Sequence, residues 1–325
     1  MDKTISNNGS AIDTQPYIAG FWRRTLALFI DSILIGLLCY MISLCFKPLL
    51  TSHPILFTFI GFILVTLYFG ICNSNLNHGQ TFGKKLLKIK VVDTKEQYIS
   101  FFTSLIRATL TYAPVCLMTI AVYIESQIIS ILVNFVLSTI YLTTVYLFIF
   151  NRNNRRTIHD LVAKTIVINE NIAASEIKPI WKFHFVFLSL LLILITSYFF
   201  IQTKVYSTTE DATLVQLKKL QPNILTTQVT SQEITENDQT FIMAIYSVQV
   251  DDLKLLYNSD FAKKLSENLY QLSPKTLDEN NLIFLSVQAG YQFGFASKND
   301  ITMYRIEKTE DGVQAIEQVS TLNQF

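Results

Sequence analysis

Five stretches of this chain are apolar and long enough to cross a lipid bilayer, and no other feature of the sequence restricts its fold as much. A hydrocarbon core of roughly 30 Å needs about 20 apolar residues in a helix, because the backbone must satisfy its own hydrogen bonds there. The stretches are residues 25–46, 55–72, 108–124, 128–150 and 183–201. The third is short and contains Pro114, which predicts a kink or a tilt. A turn with Lys47, Pro48 and Pro54 joins the first two, and a turn centred on Glu125 joins the third and fourth. The pattern is two helical hairpins followed by a single span. The first run has no small-x-small cleavage site, so it reads as a retained span. Composition agrees: 16% of residues are charged, against roughly a quarter in soluble domains.

The formal net charge of +1 hides two opposite halves. Residues 1–202 hold 16 Lys and Arg against 9 Asp and Glu, whereas residues 203–325 hold 10 against 16. One set of inter-span segments carries Lys3, Arg23, Arg24, Lys84, Lys85, Lys88, Lys90, Lys95, Arg107, Arg152, Arg155, Arg156, Lys164, Lys178 and Lys182; the opposite short loops carry Lys47 alone. By the positive-inside rule the N-terminus is cytoplasmic, and five spans place the C-terminal domain on the far side. This predicts a multi-pass protein of the bacterial cytoplasmic (inner) membrane. Its parts are a cytoplasmic tail (1–24), a four-span domain (25–170), a linker and fifth span (171–202) and an extracytoplasmic domain (203–325). The cysteines Cys39, Cys45, Cys72 and Cys116 all fall within or at the ends of spans, so no intrachain disulfide staples the exported domain.

Asp31 lies inside the first span, where an unpartnered carboxylate costs on the order of 2–4 kcal/mol. Arg24 sits two helical turns earlier on nearly the same face, and Arg107, at the mouth of the third span, is another candidate partner that could bridge the hairpins. The residues leave two readings open: a cation or proton site, or an ion pair that locks helix packing. After the second span, NHGQTFGKKLLKIKVVD lacks the glycine spacing and the Lys-Ser/Thr pair of a phosphate-binding loop, which excludes nucleotide binding. Its alternating run, Leu87 to Val91, and the β-branched run 163–168 are expected to pair as short strands that clip the hairpins together. His159 and Asp160 are adjacent, a spacing that could relay a proton or cap a helix; with no second ligand at spacing, no metal site is expected, and Asp160 is expected to pair with Arg155, Arg156 or a lysine of the other cytoplasmic loop. The lysines and arginines of these loops could hold anionic lipid headgroups. Setting topology alone is enough to account for them.

FWRRTLALFID, GQTFGKKLLKIKVVD and RRTIHDLVAKTIVI, in this order over residues 17–170, resemble the RDD family of bacterial membrane proteins. The resemblance puts the family's arginine at Arg24, its first aspartate at Asp31 and its second at Asp160. It implies transport, with sodium/proton exchange among the roles. The fifth span and the exported domain depart from a minimal member.

From about Lys204 the composition becomes that of a soluble domain. Ile283, Leu285, Val287, Ala289, Tyr291, Phe293 and Phe295 alternate on one face of a long strand, with glycines placed to bend it, and Ile242, Ala244, Tyr246, Val248 and Val250 give a second such face. Phe261, Leu265, Leu269 and Leu272 mark an amphipathic helix with Ser259 as candidate cap and Pro274 beyond its end; Leu214, Leu217 and Leu220 suggest another. Asp251-Asp252 reads as a helix start or turn, and Glu310-Asp311-Gly312 as a hairpin. The fold class is therefore an α-helical polytopic membrane protein, five spans as two hairpins plus one, with a C-terminal soluble α+β domain containing an antiparallel sheet of four or five strands.

That domain has no histidine and no hydrolase, metalloprotease or EF-hand spacing, so no enzyme, cofactor or metal is expected, and nothing points to nucleic acid. Its negative charge and size favour an accessory or scaffold protein whose residues 203–325 bind another envelope protein. The alternative is an RDD-type transporter or cation/proton exchanger that uses Asp31, with a monovalent cation as its ligand.

Overall fold

The computed structural model describes residues 17–124, 126–170, 172, 179–205, 208–236, 239–272, 282–309 and 312–318. Glu125, Pro274, Glu310, Asp311, Lys3 and Lys178 lie outside the described residues. Among the described residues, four apolar helices are long enough to cross a membrane. They are α1 (Phe21–Ser52), α2 (Pro54–Cys72), most of the later α5 (Gln127–Phe150), and the helix between them over Phe101–Ala121. A fifth apolar helix spans Phe183–Val205, and the apolar stretch described there is Phe183–Ser197. Helix α1 is longer than the first apolar run because its backbone only breaks locally at Phe46, ahead of Pro48, which has no N–H to donate. The third span starts earlier than its apolar run, at Phe101, and continues through Pro114.

The chain divides into two compact units. The first comprises Met1–Asp31, Phe69–Arg107 and Thr144–His184. Here a one-turn helix, α3 (Phe82–Leu86), leads into β1 (Ile89–Asp93) ahead of α4 (Phe101–Ala121), and α6 (Ile158–Val162) leads into β2 (Thr165–Asn169). The two strands pair antiparallel, as expected, with Val91 opposite Val167. They start two residues later than the apolar runs, because Lys88 and Lys164 take left-handed backbone (φ 54° and 53°) to turn the chain out of each short helix. Residues 17–19 add a bridge beside β2, with Ala19 N donating to Val167 O at 3.0 Å. Both faces are then covered, by Ala19, Ala27 and Ile99 on one side and Tyr17 on the other. This explains a continuous β-branched run in so short a strand.

The unit is built from a repeated motif. At one constant sequence offset Thr81 corresponds to Thr157, Lys88 to Lys164 and Val91 to Val167. The equivalent threonines each begin a short helix and the equivalent lysines each end one in left-handed backbone. The strand pairing is symmetric about the equivalent valines, so a local two-fold relates the motifs. The same offset takes Asp31 to Arg107, Lys84 to Asp160 and Gly79 to Arg155.

The second unit comprises Ser32–Tyr68, Ala108–Thr143 and Phe185–Phe325. After α7 (Phe183–Val205), helix α8 (Thr208–Leu220) precedes strands β3 (Ile224–Glu236) and β4 (Gln239–Val250). Helix α9 (Ser259–Leu272) follows a 3-10 turn capped by Asp252, and β5 (Leu282–Phe293), β6 (Ala296–Thr309) and β7 (Gly312–Gln318) complete a five-stranded sheet in sequential order. The sheet is mixed, not wholly antiparallel. β4 and β5 run parallel, because the 3-10 turn and α9 form a crossover between them that a hairpin would not need. Leu214 and Leu217 of α8 and Ala262, Leu265 and Leu269 of α9 cover Tyr246, Val248, Leu285, Val287 and Tyr304 on one sheet face. Each buried Leu or Val among them contributes about 1.5–3 kcal/mol. Two details differ from expectation: Asn258, whose side chain accepts from Phe261 N, caps α9 in place of Ser259, and Leu220 is exposed.

Phe295 also lies beyond its strand, in the β5–β6 turn, and that turn docks among the spanning helices. Gly294 has φ 58°. A Cβ there would lie 2.6 Å from Cys39 Sγ, and one on Gly61 would collide with the backbone of Phe293 and Gly294. Only a glycine pair permits this approach. Thr58 Oγ1 donates to Gln292 O (3.2 Å), Thr119 Oγ1 to Gln292 Oε1 (2.7 Å) and Tyr291 Oη to Ser43 Oγ (3.1 Å). Gly61 is about 10 Å along α2 from Pro54, so the turn reaches well below the helix ends.

Candidate functional site

The charged residues singled out in the sequence gather in the first unit, where the starts of α1 and α4 meet α3 and α6. Asp160 is fully buried, and its two oxygens accept from five donors. Oδ1 takes Arg107 Nε at 2.9 Å and Thr165 Oγ1 at 3.0 Å. Oδ2 takes Arg24 Nη2 at 3.2 Å, Thr157 Oγ1 at 3.1 Å and Thr157 N at 3.3 Å. The last belongs to the capping box at the start of α6, in which the Thr157 side chain accepts in turn from the Asp160 backbone N–H. One carboxylate thus ties the first helix of each hairpin to the loop after the second. The expected pairing with Arg155, Arg156 or a lysine gives way to these partners, because Arg24 and Arg107 reach the carboxylate from rigid helices. Arg156 reaches only the carbonyl of Asp160, at 3.2 Å, and the carbonyl of Arg155 accepts from Arg24.

Arg24 therefore closes on Asp160 and not on Asp31, its neighbour along α1. It also lies 5.1 Å from the Phe148 ring centroid, a cation–π contact. Asp31, 1% exposed, accepts from Thr81 Oγ1 at 2.5 Å and from Gly83 N at 2.8 Å. Thr81 is the N-cap of α3, so the carboxylate lies at a helix start that is open to it because Gly83 packs its backbone against Ala27. The two motifs use opposite charges at equivalent places. Asp31 stands near Lys84 of α3 in the first, and Arg107 near Asp160 of α6 in the second.

Lys84, partly buried, donates to Asn73 Oδ1. Burial and then the Arg107 charge push its pKa down to about 7, with Asp31 acting in the other direction. His159 is held neutral. Burial, followed by Arg107, Arg24 and Lys84, lowers its pKa to about 3 against the pull of Asp160. Its Nε2 faces Arg107 Nη2 at 3.4 Å, a contact in which the guanidinium can only donate. Burial works to raise the pKa of Asp160, but the Arg107 guanidinium, with that of Arg24, holds it well below the usual carboxylate range.

All four residues identified in the sequence are thus in one neighbourhood: Arg24, Arg107 and Asp160 in direct contact, Asp31 beside them on the α3 cap. Sequence reasoning missed Thr81, Thr157, Thr165 and Lys84. The signal was present, since threonine precedes Lys84 and Asp160 by the same three residues, a helix-start spacing in both loops. Among the described residues no cluster of three His, Cys, Asp or Glu has the arrangement of a metal site.

Residues 18–164 match the profile of the RDD family. No curated protein and no solved structure shows a match.

Proposed function

Residues 18–164 of this chain form an RDD-family domain, and from that premise we propose that the protein is a non-enzymatic membrane scaffold whose C-terminal domain binds another envelope protein. The observation that supports this is that both aspartates are tied to protein donors. Asp160 accepts from five donors and each Asp31 oxygen holds one, Thr81 Oγ1 or Gly83 N, so a cation would have to displace protein hydrogen bonds at either carboxylate. A buried acid that ties helices together is a structural element first. Docking of the β5–β6 turn on Gly61, Thr58 and Thr119 adds to the reading, because it holds the domain on the spans by one end of its sheet. The opposite strand ends, near Met243, Phe284 and Arg305, are left for a partner. In this reading the chain sits in the bacterial cytoplasmic membrane with residues 203–325 outside, the side opposite its lysine- and arginine-rich loops. The test is photo-crosslinking in native membranes from position 284 and, as control, from position 263 on the exposed face of α9. The reading expects one discrete adduct from the first and none from the second; equal adducts or none from either would overturn it.

A second reading, cation/proton exchange through Asp31, draws on Lys84, which titrates near neutral pH beside the same carboxylate. In it the Asp31–Thr81 contact opens during turnover. Ion flux separates the two readings.

A further inference from the structure

A cavity of about 620 Å³ opens where α1 begins and α5 ends, lined by Trp22, Arg23, Ile149, Arg152, Arg155 and Asn169. This volume is in the usual range for a small-molecule or headgroup site. Three guanidiniums line it, and among the described residues no ion pair involves Arg23, Arg152 or Arg155. Arg23 donates to Asn169 Oδ1 at 3.0 Å, which fixes one guanidinium against β2. Arg155 has its pKa lowered by burial and by the Arg152 charge beside it, a repulsion that an anion between them would relieve.

The internal repeat singles out Arg155. Arg155 has φ 50°, left-handed backbone that a non-glycine residue seldom adopts. The equivalent position of the first motif is Gly79, φ 70°, where a Cβ would meet the Val91 carbonyl. The turn needs the backbone conformation in both motifs, but only the second fills it with a side chain, and that side chain lines the cavity. The rim is apolar and lies at the ends of spanning helices. Trp22 is 73% exposed, and Ile149 and Phe150 are exposed beside it, the arrangement of an interfacial belt.

We propose that this cavity binds the phosphodiester headgroup of an anionic phospholipid, with Arg152 and Arg155 on the phosphate oxygens and Trp22 and Ile149 against the glycerol and first methylenes. Bidentate guanidinium contacts suit a phosphate, and the open, apolar rim suits a ligand that arrives from the bilayer. These arginines then do more than set topology. The inference is independent of the scaffold reading.

The test uses the full chain in detergent, with dioleoyl-phosphatidylglycerol, dioleoyl-phosphatidylcholine and glycerol phosphate as probes and native mass spectrometry as readout. One phosphatidylglycerol should be retained in preference to phosphatidylcholine. Arg152→Gln/Arg155→Gln should weaken its binding about tenfold or more, and Lys85→Gln/Lys88→Gln, which removes equal charge outside the cavity, should leave it unchanged. If the double variant does not fold, Arg152→Gln alone, at an exposed position, should weaken binding several-fold. Equal retention of the two lipids, or arginine variants that bind like the wild type, would overturn the proposal. Full competition by glycerol phosphate would overturn the lipid as its source.

Discussion

Asp160→Asn should be among the most destabilising single substitutions in this chain. The carboxylate is fully buried and neutralises two guanidiniums at 2.9 and 3.2 Å. Asparagine keeps one acceptor oxygen but loses the charge, and its amide nitrogen, a donor, would face either Arg24 and Thr157 or Arg107 and Thr165. Removing one partner of a buried ion pair costs about 3–5 kcal/mol, and the facing donors place this substitution toward the upper end. The assay is unfolding in detergent, followed by reaction of a thiol dye with Cys39 and Cys116, which are buried in the fold. A double-mutant cycle with Arg107→Gln isolates the pair: removing one guanidinium as well should recover part of the loss, with a coupling of about 1–3 kcal/mol. A loss below about 1 kcal/mol for Asp160→Asn, or strict additivity in the cycle, would refute the claim that this carboxylate holds the hairpins together.

Three further outcomes follow from the same geometry. Thr81→Val keeps the shape but removes the hydroxyl that bonds Asp31, and should cost about 1–3 kcal/mol, whereas Thr81→Ser should cost little; equal melting of the two would mean that the bond does not hold Asp31. Stability should fall as pH drops below 6.5, because unfolded His159 then takes up a proton that the folded residue refuses until about pH 3. Asp160, depressed in the fold, adds a loss of the same sign below the usual carboxylate range, so His159→Gln should flatten the profile between about pH 6.5 and 4.5 in melts across that window. Gly61→Ala should destabilise by about 1–3 kcal/mol and expose the C-terminal domain to protease, whereas Gly36→Ala, whose Cβ would meet only Phe295 at 3.8 Å, should be neutral. Identical behaviour of the two glycine variants would remove the docked turn from the account.

The spans were legible because length and hydropathy alone decide whether a helix can cross a bilayer, and the ribbon was legible because its two runs are β-branched and flank helical hairpins. The four charged residues are legible too, but not their pairing: spacing offers Arg24 to Asp31, and the fold gives it to Asp160. Helical spacing places Arg24 beside Asp31 along one helix but says nothing of an acid on a loop far along the chain, and that loop holds Asp160. The parallel β4–β5 pair escaped because alternation reports which face of a strand is buried and not the direction of its neighbour. The repeat stayed hidden because its chemistry is inverted: Asp31 and Lys84 stand where Arg107 and Asp160 stand in the second motif, and glycine stands where arginine does. A comparison of residue types finds no similarity there, although the backbone conformations agree.

The scaffold reading and the exchanger reading part most sharply over ion flux. Full-length wild type and Asp31→Asn are reconstituted in liposomes, with melting measured on both to establish folding, and sodium and proton movements are followed under imposed gradients. Neither protein should show flux above protein-free liposomes, because the Asp31 carboxylate stays on Thr81 and Gly83. Sodium- or proton-driven flux in the wild type that disappears in a folded Asp31→Asn protein would contradict it and would make that carboxylate a transport site.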